Sequence, residues 1–191
     1  MFENELEGVV QDSMVELTYF EPSDFKQLIN WIHSPEFLLQ WGGPEFVYPL
    51  DEKQLEKYIE NANSDNSATL IYKVFEKESG DAIGHISLGR IDRKNKSARV
   101  GKVLVGNKDT RGKGIGQQMI KELLNIAFKG LQLHRVSLGV FDLNVSAIAC
   151  YEKAGFIKEG LHRDSRKNGD EYWSLWEMSI LEDEWLEIQK A

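Results

Sequence analysis

Residues 110–124 read TRGKGIGQQMIKELL. Gly112, Gly114 and Gly116 fall within five residues, and the residues after them have the spacing of an amphipathic helix. Ile115, Met119, Ile120, Leu123, Leu124 and Ala127 share one face, so the segment predicts a helix that opens on a glycine turn and packs on a core. The first N–H groups of a helix have no partner inside it, and its dipole favours negative charge there. Glycine lets an anion's oxygens approach those groups without meeting a Cβ. Lys108, Arg111 and Lys113 add positive charge, in a chain whose net charge is −8. The cluster therefore predicts a phosphate or pyrophosphate site. Two common patterns do not fit: G-x-x-x-x-G-K-[ST] is absent, and Gln117 stands where G-x-G-x-x-G needs its last glycine. A plain glycine-rich turn is the alternative, and the basic residues argue against it.

On the N-terminal side, SARVGKVLV (97–105) and AIGHISLGRID (82–92) read as strands joined by a turn at 93–96. ATLIYKVFEK (68–77) precedes them across an SGD turn, and MVELTYF (14–20) is a further strand. Pro22–Ser23–Asp24 opens a helix whose Phe25, Leu28, Ile29 and Ile32 face inward. DEKQLEKYIENA (51–62) is a second, with Leu55, Tyr58 and Ile59 inward. Between them, residues 34–50 hold three of the four prolines and a Gly-Gly pair, which predicts a loop or broken helix.

On the C-terminal side, Gly130 stands where a helix C-cap glycine belongs. HRVSLGVF (134–141) is a strand, and 142–155 a helix with an Asn144/Ser146 start and a Gly155 stop. Residues 156–181 form a long hairpin turning at Lys167–Asp170, and 182–191 a short helical tail. With 1–13 loose, the 191 residues predict one mixed α/β domain whose sheet is largely antiparallel.

A net charge of −8 argues against nucleic acid, whose binders need a basic face. Cys150 is the only cysteine, which fits a reducing compartment. The acidic start MFENELEGVVQD has no apolar core, and no apolar run is long enough to span a bilayer. The expectation is a cytoplasmic protein without a membrane partner. His33, His85, His134 and His162 are scattered without metal-ligand spacing, so no metal is expected. Cys150, in an alanine-bearing helix, reads as a small packed residue.

Two blocks resemble the GNAT superfamily of N-acetyltransferases. Arg111–x–x–Gly114–x–Gly116, after a strand and opening a helix, resembles its acyl-CoA motif, Q/R-x-x-G-x-G/A. NVSAIACYEKAGF (144–156) resembles its later block: an Asn, a helix of small residues, a Tyr, then Gly-Phe. KNGDEYWSLWEMSI (167–180) resembles the ribosomal-protein and spermidine acetyltransferase-like, or Rim-type, branch.

The resemblance implies a GNAT fold: a central sheet of about seven strands flanked by helices, with a splayed strand pair holding acetyl-CoA. Val103, Leu104 and Val105 would pair with the pantetheine arm, and Arg111, Gly112, Lys113, Gly114, Ile115 and Gly116 would hold the pyrophosphate. Asn144 would hydrogen-bond the cofactor arm. Tyr151 would protonate the leaving thiolate, and a backbone N–H near Val103 would stabilise the oxyanion. Asn144 and Tyr151 are seven residues apart, hence on nearly one helix face. By residue type alone Asn144 is also a helix N-cap and Tyr151 a core aromatic.

Many relatives carry Glu where this chain has Arg99, so the base is open among Glu171, Asp142 and a water chain. The implied activity is acetyl transfer to a primary amine, either a protein or peptide N-terminus or a polyamine-like small amine, by direct attack in a ternary complex. An acyl-CoA-binding regulatory module without catalysis is the alternative. Trp41, Phe46 and Tyr48 are candidates for the acceptor pocket. The excess of 31 acidic over 23 basic residues, with Glu36, Glu45, Asp170 and Glu171 near the expected pocket, predicts a cationic acceptor. The expected assembly is a monomer or homodimer.

Overall fold

The computed structural model describes residues 13–106 and 112–190. The expected loose segment up to residue 12, and Lys108 and Arg111, lie outside the described residues. Seven strands form one sheet: β1 (Val15–Tyr19), β2 (Leu70–Glu76), β3 (Ala82–Asp92), β4 (Ser97–Val105), β5 (Arg135–Phe141), β6 (Ile157–Asn168) and β7 (Glu171–Leu181). Their order is β1-β2-β3-β4-β5-β7-β6, and only the β4–β5 pair is parallel. The hairpin turns follow the sequence: a strand has period two, and Gly80 (φ +72) and Gly169 (φ +59) supply left-handed turn positions.

Successive strand residues point to opposite faces, and each face is covered by helices. On β2, Ile71 joins Leu28 of α1 (Phe25–Trp31), Leu38 of α2 (Pro35–Gly42) and Leu55 of α3 (Glu52–Ile59) in one core. Its neighbours Leu70 and Tyr72 join the other core. There they meet Met119 of α4 (Ile115–Asn125), Ile148 of α5 (Val145–Lys153) and Trp185 of α6 (Glu182–Gln189). The apolar stripe of α4 is buried as its spacing predicts. Among the described residues, no helix is long and apolar enough to cross a membrane.

Of the two readings left open for residues 34–50 the broken helix is the one seen, and the reading of Gly130 differs. Residues 35–42 form a regular helix, because Ser34 Oγ accepts from Phe37 N at 3.1 Å and Pro35 occupies the first turn, where no N–H is needed. Gly43, at φ +65, ends it. Gly130 is not a left-handed cap. The chain widens into a π turn over Ile126–Gly130, closed by Leu131 N donating to Ile126 O at 2.9 Å, and the left-handed residue is Gln132 at φ +53.

Candidate active site

The parallel strands β4 and β5 pair only at Ser97–Arg135, Ala98–Val136 and Arg99–Ser137. Both continue, to Val105 and Phe141, without further pairing to each other. A bulge in β4 accompanies the parting. Its register against β3 jumps from Gly101–Ser87 to Leu104–His85, so Lys102 and Val103 oppose Ile86 alone. Lys102 is left-handed at φ +51. Its carbonyl accepts from Trp41 Nε1 at 2.9 Å and His85 Nδ1 at 3.0 Å. These bonds tie α2 and β3 to the bulge. Since a carbonyl only accepts, His85 Nδ1 carries the proton. Burial pushes the His85 pKa down to about 4, so the ring is neutral.

The gap between the strands is a cavity of about 600 Å³. Val103, Leu104 and Val105 form one wall, and Asn144, Cys150 and Tyr151 of α5 the other. Gly112, Gly114, Ile115 and Gly116 close one end. Gly112 (φ +81) and Gly114 (φ +78) are left-handed, and a Cβ on either would point into open space. Gly116 has another reason to be small: a Cβ there would lie 3.3 Å from Cys150 Sγ, so it sets the approach of α4 to α5. Among the described residues, the α4 N-terminus has no side-chain cap and no acid in its first turn. Its orphan donors fit a phosphate-bearing ligand. Lys113 is exposed and does not line the cavity.

Asn144 is the N-cap of α5, with its Oδ1 accepting from Ala147 N at 3.3 Å, and it lines the cavity as well. Tyr151 is 8% exposed and packs beside Phe156. Its hydroxyl makes no hydrogen bond among the described residues, and burial raises its pKa, which keeps the proton in place. Burial also raises the Cys150 thiol, leaving little thiolate.

A second cavity of about 820 Å³ opens beside the first, and Gln40, Trp41, Lys102, Gly139 and Phe141 line both. Its Arg and Lys side chains are Arg90, Arg99, Lys102 and Arg166, His162 lines it too, and among the described residues its one carboxylate is Glu45. Lys102 Nζ sits 2.6 Å from Glu45 Oε2 and 4.9 Å from the Tyr58 ring centroid. Of the acceptor-side candidates, Trp41 and Glu45 line this cavity, while Glu36, Tyr48, Asp170 and Glu171 line neither. Phe46 stacks behind Trp41 at 5.5 Å. Asp142 lines neither cavity, and the Arg99 guanidinium is held by Glu177.

The sequence reading missed Phe37 and Gln40, which precede Trp41 by four and one residues on α2 and share its groove-facing side. A helical reading of 35–42 from Ser34 and Pro35 finds them. It also missed Lys102, Arg90 and Arg166, whose directions depend on bulges.

A model of the acetyltransferase (GNAT) domain matches residues 15–157. The chain is 27% identical over 152 residues to aminoglycoside N(6')-acetyltransferase type 1 of Klebsiella pneumoniae, covering 76% of this chain and 75% of that one. It is 33% identical over 159 residues to the probable N-acetyltransferase YjcK of Bacillus subtilis (strain 168), covering 82% and 78%. Among solved structures, the spermidine N-acetyltransferase from Vibrio cholerae in complex with CoA and spermine superposes with a TM-score of 0.78 at 25% identity, over 92% of this chain and 99% of that one.

Proposed function

The chain belongs to the GNAT family of acetyltransferases, and from that premise we propose that it moves an acetyl group from acetyl-CoA to a primary amine by direct attack in a ternary complex. The observation that carries this reading is the pair of joined cavities. One is a groove between parting strands that ends at an uncapped helix N-terminus; the other opens on the far side of Trp41 and Lys102. Two substrates can thus meet at the bulge from opposite sides.

Acetyl-CoA supplies an activated thioester. Gly112 to Gly116 and the α4 N-terminus would hold its phosphates, and β4 at Val103–Val105, beyond its last pair with β5, its amide-bearing arm. The Asn144 amide N–H, left over from capping, would donate to the same arm. The acceptor's ammonium loses a proton to solvent in the open cavity, since only the neutral amine has a lone pair. Its nitrogen bonds to the acetyl carbon, the proton that nitrogen then carries in excess leaves to solvent, from which Tyr151 later regains the one it gives up, and the C–S bond breaks. The Val103 N–H would stabilise the charge that builds on oxygen, and Tyr151 would give its proton to sulfur. Holding the amine at the bulge supplies rate by orientation, without a strong base. A lone cysteine supports a reducing, cytoplasmic setting for this chemistry.

The test is incubation with acetyl-CoA and a panel of primary amines, following thiol release and the mass of the N-acetyl product. Release is expected only when an amine is present. Calorimetric binding of acetyl-CoA with no product from any amine would support the regulatory-module alternative. Release without amine, leaving acetylated Cys150, would contradict direct attack.

A further inference from the structure

Resting on the acetyl-transfer reading, we infer that the acceptor carries an anionic group besides its amine, a carboxylate or a phosphate, and that Arg90 and Arg166 receive it. The chain as a whole is acidic, with a net charge of −8. Its acceptor-side cavity reverses that sign, with four Arg and Lys side chains, and His162 besides, against one acidic among the described residues. Two of the four are already matched: Arg99 by Glu177 and Lys102 by Glu45. Arg90 and Arg166 have no ion pair and no hydrogen bond among the described residues. Arg166 is nonetheless half-buried. An unmatched guanidinium on a concave wall offers a planar fork of donors suited to carboxylate or phosphate oxygens.

The backbone around both arginines is irregular in a way that presents them to the cavity. Arg90 is left-handed at φ +50, and the β3 register against β4 shifts between Gly89 and Asp92. In β6, Arg163, Asp164 and Ser165 stand against Ser174 alone between the His162–Leu175 and Arg166–Trp173 pairs, and Asp164 is left-handed at φ +49. Bulges turn side chains out of the regular alternation, and left-handed φ is uncommon outside glycine. With the Lys102 bulge, three strands carry such an irregularity around one cavity, and each lies at or beside a basic lining residue. A polycation entering here would bring like charge against two unmatched arginines, whereas an amine with an anionic end would be drawn in and oriented.

The experiment compares kcat/KM at saturating acetyl-CoA for n-butylamine, 1,4-diaminobutane, 4-aminobutyrate and 2-aminoethyl phosphate, with the last two separating carboxylate from phosphate. At least one anionic amine should exceed both others by roughly tenfold or more, an advantage that shrinks as salt rises. In Arg166→Gln and Arg90→Gln the ratio of anionic to neutral kcat/KM should fall about tenfold, and Arg166→Glu should reverse the preference. Equal or better turnover of butylamine or diaminobutane, or an unchanged ratio in these variants, overturns the inference and leaves acetyl transfer standing. If acetyl-CoA binds but no amine of any charge is acetylated, the acetyl-transfer reading fails and this inference with it.

Discussion

Arg99 on β4 and Glu177 on β7 grip each other across β5, at the last position where β4 and β5 still pair. Arg99 Nη2 lies 2.9 Å from Glu177 Oε2, and Nη1 donates to both Glu177 Oε1 and the Ser137 hydroxyl. Gly139 leaves room for this crossing: a Cβ there would sit 2.5 Å from Arg99 Nη2. The pair fastens the sheet at the base of the groove, so the strands part beyond it rather than along their whole length.

Arg99→Gln should therefore loosen the base of the groove. Both side chains are about a quarter exposed, at 25% and 24%, so the carboxylate left behind is partly desolvated. A loss of about 1–3 kcal/mol is expected, read from denaturant unfolding. The double variant Arg99→Gln/Glu177→Gln should recover part of it, since no charge is then stranded. Strictly additive losses would show that the pair is not coupled.

The glycines of the opening loop separate into two roles. At Gly114, φ is +78 and a Cβ meets nothing, so Gly114→Ala should strain the loop by about 1–2 kcal/mol. It should also weaken acetyl-CoA binding at least tenfold by calorimetry. Gly116→Ala should instead act through a 3.3 Å approach to Cys150 Sγ, and be better tolerated for stability when Cys150→Ala makes room. If Cys150→Ala relieves nothing, Gly116 serves the ligand and not the packing of α4 on α5.

Much of this was legible in the sequence because it is local. The α4 stripe, the glycine turn, and Asn144 with Tyr151 two turns apart depend on contiguous residues, and the fold keeps all three. What escaped depends on pairing between distant strands. Nothing near Lys102 in the chain says that β3 will skip a residue opposite it, so the tie from its carbonyl to Trp41 and His85 cannot be read locally. The same holds for Arg90 and Arg166. Net charge sums over a whole surface, while a cavity is lined by a chosen few, so the basic lining of the second cavity could not be read from it. Gly130 misled because a π turn moved the left-handed position to Gln132.

The Arg135–Glu159 pair makes a pH prediction. Two short bonds from Arg135, 2.7 and 2.6 Å, and one from the Ser179 hydroxyl hold the Glu159 pKa down to about 2. A carboxylate depressed below its unfolded value of about 4.3 stabilises the fold above that pH, and the contribution disappears as pH falls toward 2. Because Glu159 is 39% exposed, solvent screens the pair and the effect is small. Melting temperatures of wild type and Glu159→Gln should differ by a constant amount above about pH 5 and converge toward pH 2. A gap that widens on acidification would contradict the assignment.

His85 makes a second. With its pKa lowered to about 4, it is neutral when folded and takes up a proton on unfolding below its ordinary value of about 6.5. Stability should therefore fall as pH drops from about 6.5 toward 4, and His85→Gln, which cannot titrate, should flatten that slope. An equal slope in the variant would place the titration elsewhere.

Acetyl transfer through this groove is tested most sharply by the Tyr151→Phe variant, assayed for turnover with an amine that the wild type acetylates and, separately, for acetyl-CoA binding by calorimetry. The hydroxyl lies on the groove wall without a protein partner among the described residues, and burial keeps its proton on, so its removal should cost chemistry and little affinity. The expected result is a kcat lower by roughly 100- to 10,000-fold with the acetyl-CoA Kd within about threefold of wild type. A kcat within a fewfold of wild type would contradict this role and leave Tyr151 as a packing residue.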